Sequence, residues 1–299
     1  MPCSRASDWV RYMKERWDAP LDEERPFDAA PYQAREPGPA PAPDADRPTW
    51  TFRDTMVGVI LTLGPWFVLT ALSLLQSSSQ STVSAKPLDP TTDKINAVLS
   101  LIIQALLEGV FLIAPLWFAV FKPRRLARQR GAPVPAWREG LRALGLRSVR
   151  LGQATGAVAL GVLTIFVASY LYSAVAQALN VPVQTNVDEL LRRAATEPWT
   201  TLATLLIAVI VAPFCEEIFF RGYFFQGLRL HISVWLAVVL SAVIFGLAHG
   251  DLGSLALLII IGLALAIIRW RTRSLWPGMA LHMFNNFLGA LIIFQALRL

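Results

Sequence analysis

The sequence predicts an all-α fold: a polytopic membrane helical bundle of about seven transmembrane helices, with eight as the upper count. Three observations carry this reading. Hydrophobic residues make up 55% of the 299-residue chain and the mean hydropathy is +0.48, which overrides the prior for a soluble domain. Apolar residues gather into runs of ~17 residues or more, enough to cross ~30 Å of hydrocarbon at 1.5 Å per residue. Lys and Arg concentrate between those runs: with alternating spans, 22 of the 27 fall on one side.

Taken in order, residues 1–50 hold nine of the twenty prolines, and Glu36 to Asp44 alternates Pro with small residues. Such a stretch reads as a disordered, extended tail. Within it, Trp9, Met13 and Trp17 recur every four residues, which suits either a short helix on the membrane surface or a transient helix. No apolar core of signal-peptide length opens the chain, so the first span itself is expected to direct insertion. Residues 51–150 carry two spans and a basic connection, and 151–299 carry the rest. The spans are placed near 55–76, 95–121, 151–178, 199–228, 232–250, 252–269 and 275–297. The fourth is too long for one straight crossing, and Pro213 predicts a kink or break within it.

The charge asymmetry places the N-terminus in the cytoplasm and the C-terminus outside, in an integral protein of the cell (inner) membrane. It also accounts for the net charge of +6 and the pI near 9.7, so nucleic acid is not an expected partner; the lipid bilayer is. The stretch Lys122 to Arg130 would face the anionic inner leaflet. On the other side, Asn186 to Glu197 predicts a short amphipathic helix capped by Thr185 or Asn186, with Val187, Leu190, Leu191 and Ala194 on its apolar face. Of the two cysteines, Cys3 and Cys215, neither suggests a disulfide framework, and Cys215 reads as a small apolar filler.

Function concentrates in polar residues set inside apolar runs. Glu216, Glu217 and Arg221 lie together among Phe and Ile, and a charge at the centre of a membrane helix costs ~2.5 to 3.5 kcal/mol on insertion scales. On an α-helix Glu217 and Arg221 share a face while Glu216 turns away, so the arginine neutralises one carboxylate and leaves the other free to act. Two of the three histidines, His249 and His282, also fall within spans. A hairpin near Arg229 to Ser233 has arms of similar length to Glu216 and to His249, so the two can meet at one depth. His282 and Asn286 are four apart and share a face, one able to orient a carbonyl and the other to donate a hydrogen bond. Glu108 interrupts the second span with no partner that the sequence identifies, and Asp251, beside His249, either orients its imidazole or caps the helix that follows, the reading favoured here. Zinc-protease, aspartyl and serine-elbow signatures are absent.

Glu216-Glu217-Ile-Phe-Phe-Arg221, Phe245-Gly-Leu-Ala-His249 and His282-Met-Phe-Asn-Asn286 together resemble the CPBP family of intramembrane proteases, also called the ABI or type II CAAX prenyl endopeptidase family. The resemblance covers about residues 150–295. It implies an enzyme that hydrolyses a peptide bond of a membrane-associated protein or peptide, CAAX-type or prenylated in the best-known members. Residue by residue, it implies that Glu216 and His249 activate a water, that His282 and Asn286 stabilise the oxyanion, and that Glu217 pairs with Arg221. The family is often labelled metalloprotease. A zinc or other divalent metal, if present, would use Glu216, His249 and His282, whereas the same residues suffice for a metal-free, glutamate-activated water, the reading favoured here. Immunity proteins and scaffolds of the same fold supply a non-catalytic alternative, which complete motifs disfavour. A transporter is disfavoured by the lack of an internal repeat.

Overall fold

The computed structural model describes residues 48–77, 87–180 and 185–295, without the side chains of 73–77. The Pro-rich tail and its Trp9–Trp17 pattern lie outside the described residues. Among those residues the chain forms twelve α-helices and three π-helical segments, with no strand. Six helices are long and apolar enough to span a membrane. The chain is a polytopic helical membrane bundle, as the composition predicts.

The first two long helices are α1 (Phe52–Ser77) and α2 (Pro90–Leu116). From α2 the chain passes through a π-helical turn, Trp117–Phe121, into α3 (Lys122–Gln129), so the basic stretch expected between spans is helical and continuous with its span. A short amphipathic helix, α4 (Trp137–Leu144), precedes the long α5 (Leu151–Ala178). The predicted amphipathic helix is α6 (Asn186–Thr196), capped at Thr185, whose backbone N–H is accepted by Asp188 at 2.7 Å. It does more than rest on the bilayer: Ala194 is fully buried and packs with Leu205 and Ile293.

The fourth span is a composite of α7 (Pro198–Leu206), a π-helical segment Ile207–Val211, α8 (Ala212–Glu216), a second π-helical segment Glu217–Phe224, and α9 (Phe225–Leu228). It is not broken at Pro213. Proline lacks an N–H and its ring strikes the carbonyl four residues back in an α-helix, whereas a π turn immediately before it widens the ladder at that point. Beyond it come α10 (Val234–Ala248), α11 (Leu255–Thr272) and α12 (Trp276–Phe294). Helix α10 has 15 residues, or ~22 Å at 1.5 Å per residue, which is shorter than the full crossing the sequence suggests for it.

Burial concentrates on the composite span. Every residue from Glu217 to Leu228 is buried, while α2 and α5 present long rows of exposed Leu, Ile and Val to their surroundings. Phe111 of α2 packs edge-on against Phe219 at 5.3 Å between ring centroids, and Phe220 meets Phe245 of α10 at 5.3 Å. In a membrane such interlocking, not water exclusion, holds helices together. Small residues let the backbones approach: a Cβ on Gly262 of α11 would lie 2.9 Å from the Ala242 backbone of α10. Trp50, which the sequence places in the tail, is buried against Tyr223, with 5.3 Å between ring centroids.

Candidate active site

The motif helix is positioned from its first turn. Asp93 of α2, 1% exposed, accepts the backbone N–H groups of Trp199 and Thr200 at 2.8 and 3.1 Å and the Thr200 hydroxyl at 2.7 Å. A helix N-terminus leaves four N–H groups without intrahelical partners, and a carboxylate satisfies them while favouring the positive end of the dipole. Further along, Gln104 Nε2 of α2 donates to Thr204 Oγ1 at 3.1 Å. The span is thus tied to α2 before the Glu216–Arg221 motif begins.

Glu217 and Arg221 form the pair that their spacing predicts. Arg221 Nη1 donates to Glu217 Oε1 at 2.8 Å, and both side chains have no solvent exposure. Removing two charges from water is favourable only when further contacts satisfy them. Arg221 Nη2 also donates to the Gly262 carbonyl at 3.3 Å, and its guanidinium lies 4.1 Å from the Phe245 ring centroid. Gly278 leaves the room this requires, since a Cβ there would stand 3.0 Å from Glu217 Oε2. Glu217 Oε1 lies in addition 3.3 Å from His282 Nδ1, a contact the sequence did not reveal.

Glu216, one position earlier, faces two imidazoles. Its Oε2 is 4.0 Å from His249 Nε2 and 3.8 Å from His282 Nε2, and that oxygen is buried with no hydrogen-bond partner. His249 caps the C-terminus of α10, and its Nδ1 lies 2.8 Å from the Phe245 carbonyl. A carbonyl only accepts, so Nδ1 carries the proton, and in the neutral ring Nε2 is left as an acceptor facing Glu216. Phe245 stands edge-on to both rings, at 4.6 Å from His249 and 5.6 Å from His282, so one aromatic side chain sets both imidazole planes. Trp66 Nε1 of α1 donates to the Ala248 carbonyl at 2.7 Å and anchors the end of α10.

The structure brings together Glu216, Glu217, Arg221, His249 and His282. Asn286 is held one helical turn beyond His282, with Nδ2 donating to the Ala208 carbonyl at 2.8 Å and Oδ1 accepting from Asn285 Nδ2 at 3.2 Å. Ala208 lies in the π-helical segment Ile207–Val211, which ties α12 to the motif span. One N–H of the Asn286 amide remains beyond the Ala208 bond. Asp251 does not orient His249. Its carboxylate accepts the N–H of Ser254 at 3.0 Å, capping the approach to α11 as expected, and the N–H of Asn186 at 3.0 Å, tying in α6. Cys215 is buried and free. Asp93 and the Ala208 carbonyl escaped the sequence reading. Asp93 sits in a polar turn ahead of an apolar run, where an acid reads as a cap for its own helix, and a backbone acceptor carries no side-chain signal.

Glu216, His249 and His282 are the right donor types for a three-ligand zinc. Their spacing fits poorly: tetrahedral ligands ~2.0 Å from a shared ion stand ~3.3 Å apart, closer than the 3.8 and 4.0 Å found here. Among the described residues no group of three His, Cys, Asp or Glu is arranged to hold a metal ion.

Residues 198–288 match the family described as Type II CAAX prenyl endopeptidase Rce1-like. The matched stretch contains all three motifs. The chain is 34% identical over 82 residues to a Bacillus subtilis (strain 168) protein named "Putative membrane peptidase YdiL", an alignment covering 27% of this chain and 34% of that protein. It is also 34% identical over 95 residues to an Escherichia coli protein named "Uncharacterized 24.3 kDa protein", covering 30% of this chain and 44% of the other. The chain thus spans less than half the length of either curated relative. No solved structure matches it.

Proposed function

We propose that the chain is an intramembrane endopeptidase that hydrolyses a peptide bond of a membrane-associated protein, with CAAX-type or prenylated proteins as one substrate class. The observation that carries this reading is the unpartnered Oε2 of Glu216, set between the Nε2 atoms of two histidines at 4.0 and 3.8 Å. A carboxylate and a bare imidazole nitrogen both accept, so they do not bond to each other. A water donating one proton to each, at ~2.8 Å from both, fits that gap.

In this mechanism Glu216 takes a proton from the water while its oxygen attacks the scissile carbonyl carbon. His249 holds the second proton of the water and fixes its lone pair toward the substrate. The negative charge that develops on the carbonyl oxygen falls to His282 Nε2–H and the remaining N–H of Asn286. Glu217 serves this step by accepting from His282 Nδ1 at 3.3 Å, which stabilises the doubly protonated ring, the form in which Nε2 also donates. Glu216 then delivers its proton to the leaving amine as the C–N bond breaks. We place the N-terminus on the cytoplasmic side, on the strength of the Lys and Arg distribution.

The test compares the membrane proteomes of cells carrying the wild type and Glu216→Gln, at matched protein levels. Truncated membrane proteins present with the wild type and absent with the variant support the reading. Identical fragment sets, with Glu216→Gln retaining the full biological activity of the wild type, overturn it in favour of a non-catalytic membrane module.

A further inference from the structure

The catalytic motif has a carboxylate neighbour outside it. Glu108 lies within the α2 span, where an ionisable side chain marks function by default. Its position follows from the ties between α2 and the motif span. Gln104, Glu108 and Phe111 are spaced i, i+4, i+7 and share one face of α2. Gln104 bonds Thr204, and Phe111 packs on Phe219 and Phe220, with 5.3 and 6.0 Å between ring centroids. Glu108, between them, is set against the stretch between Thr204 and Phe219 that contains Glu216. Helix α2 packs against both α8, which ends at Glu216, and the π-helical segment that follows it.

Glu108, half-buried, differs from the buried acids in having no partner for its Oε2 and no cation bonded to it. Its Oε2 is buried without a hydrogen-bond partner. Glu217 has Arg221 and His282, Asp93 has the N-terminus of α7, and Asp54 has Lys122 at 2.6 Å. No Lys, Arg or His bonds Glu108 among the described residues. An acid in apolar surroundings holds its charge only at a cost, and a cation placed beside it stabilises the ionised form. Glu216 Oε2 already faces His249 and His282, whereas Glu108 has no such partner.

We propose that Glu108 is a specificity-determining residue, which receives a basic side chain of the substrate close to the scissile bond. This rests on the peptidase reading above. The substrate class is then a membrane-associated segment with a lysine or arginine at a fixed subsite. The segment's apolar surface lies along the bundle, its cation pairs with Glu108, and its scissile carbonyl is presented to Glu216. Binding energy gained at a non-reacting side chain in this way sets which bond is cut.

The experiment uses the full-length protein in liposomes with a synthetic library of single-span apolar peptides, randomised at the positions flanking a central bond, and cleavage sites read by mass spectrometry. Wild type is expected to enrich Lys and Arg at one subsite at least tenfold over Gln. Glu108→Gln should bring that enrichment toward one, and Glu108→Lys should replace it with Asp and Glu at the same subsite. Cleavage by the wild type with no basic enrichment, or enrichment that survives in Glu108→Gln, overturns the proposal and leaves the peptidase reading intact. Equal loss of all cleavage in both Glu108 variants assigns the residue to the chemistry or the fold and also overturns it. A cleavage pattern shared by the wild type and Glu216→Gln sinks the peptidase reading itself.

Discussion

Glu216 and Glu217 are adjacent in sequence and sit in opposite kinds of environment. Glu217 is closed: it has no solvent exposure, bonds Arg221 at 2.8 Å, meets His282 at 3.3 Å and stands against Gly278 with no space to spare. Glu216 is open: one oxygen is buried without a hydrogen-bond partner, and two imidazole nitrogens stand just beyond hydrogen-bond range. Each carboxylate has one buried oxygen without a hydrogen bond, so the difference between them is the ion pair: Arg221 compensates the charge of Glu217, and no cation bonds Glu216 among the described residues. The difference teaches that the motif sets an ion-paired carboxylate beside an unpaired one at consecutive positions, with the change to π-helical geometry falling between them at Glu217.

The comparison breaks most visibly if the closed side proves dispensable. Glu217→Ala leaves Arg221 buried without its carboxylate and should lower unfolding free energy by ~3 to 5 kcal/mol, read as an early transition in detergent micelles. Glu216→Ala should leave that transition near the wild-type value while abolishing cleavage. Equal destabilisation by both substitutions would remove the distinction. Next in size, Asn286→Ala should reduce turnover by ~10²- to 10³-fold, the cost of one oxyanion donor, measured as initial rate at saturating substrate. A fall in binding alone, with turnover unchanged, would assign Asn286 to holding Ala208 and the π-helical segment.

The smallest effect sharpens the contrast at the rim. Asp188 at the start of α6 is held below the ordinary carboxylate range, first by the backbone N–H of Thr185, then by its hydroxyl, and in part by Arg192. A lowered folded-state value means that this cap is fully formed above the usual carboxylate range and is lost as pH falls through the lowered value, below 3.8. Amide exchange over the first turn of α6 should therefore quicken at acid pH in the wild type and already be fast at neutral pH in Asp188→Asn. Unchanged protection in the variant would show that Asp251, which accepts Asn186 N–H, holds the helix by itself.

Much of this was readable beforehand because the relevant signals are local or periodic. The pair Glu217–Arg221 follows from i, i+4 spacing, and the meeting of Glu216 with His249 follows from a hairpin of nearly equal arms. The reading of Pro213 as a break failed because proline marks where an α-helical ladder is interrupted, without saying whether a wider turn absorbs it. The contact of His282 with Glu217 was hidden because its partners are 65 residues apart and meet only once α12 packs on the motif span.

Composition, hydropathy and spacing by themselves determined that this is a helical membrane bundle and which polar residues stand inside it, because a bilayer penalises each such residue wherever it lies in the chain. Tertiary structure alone decided what each of them meets. It closed Glu217 with Arg221 and His282, left Glu216 open between two imidazoles, pinned the motif helix to Asp93 and packed the face of α2 that carries Glu108 against it. The physical reason is that helix spacing fixes the face a side chain shares with its own neighbours, while its partner on another helix depends on the depth and rotation at which the two helices pack.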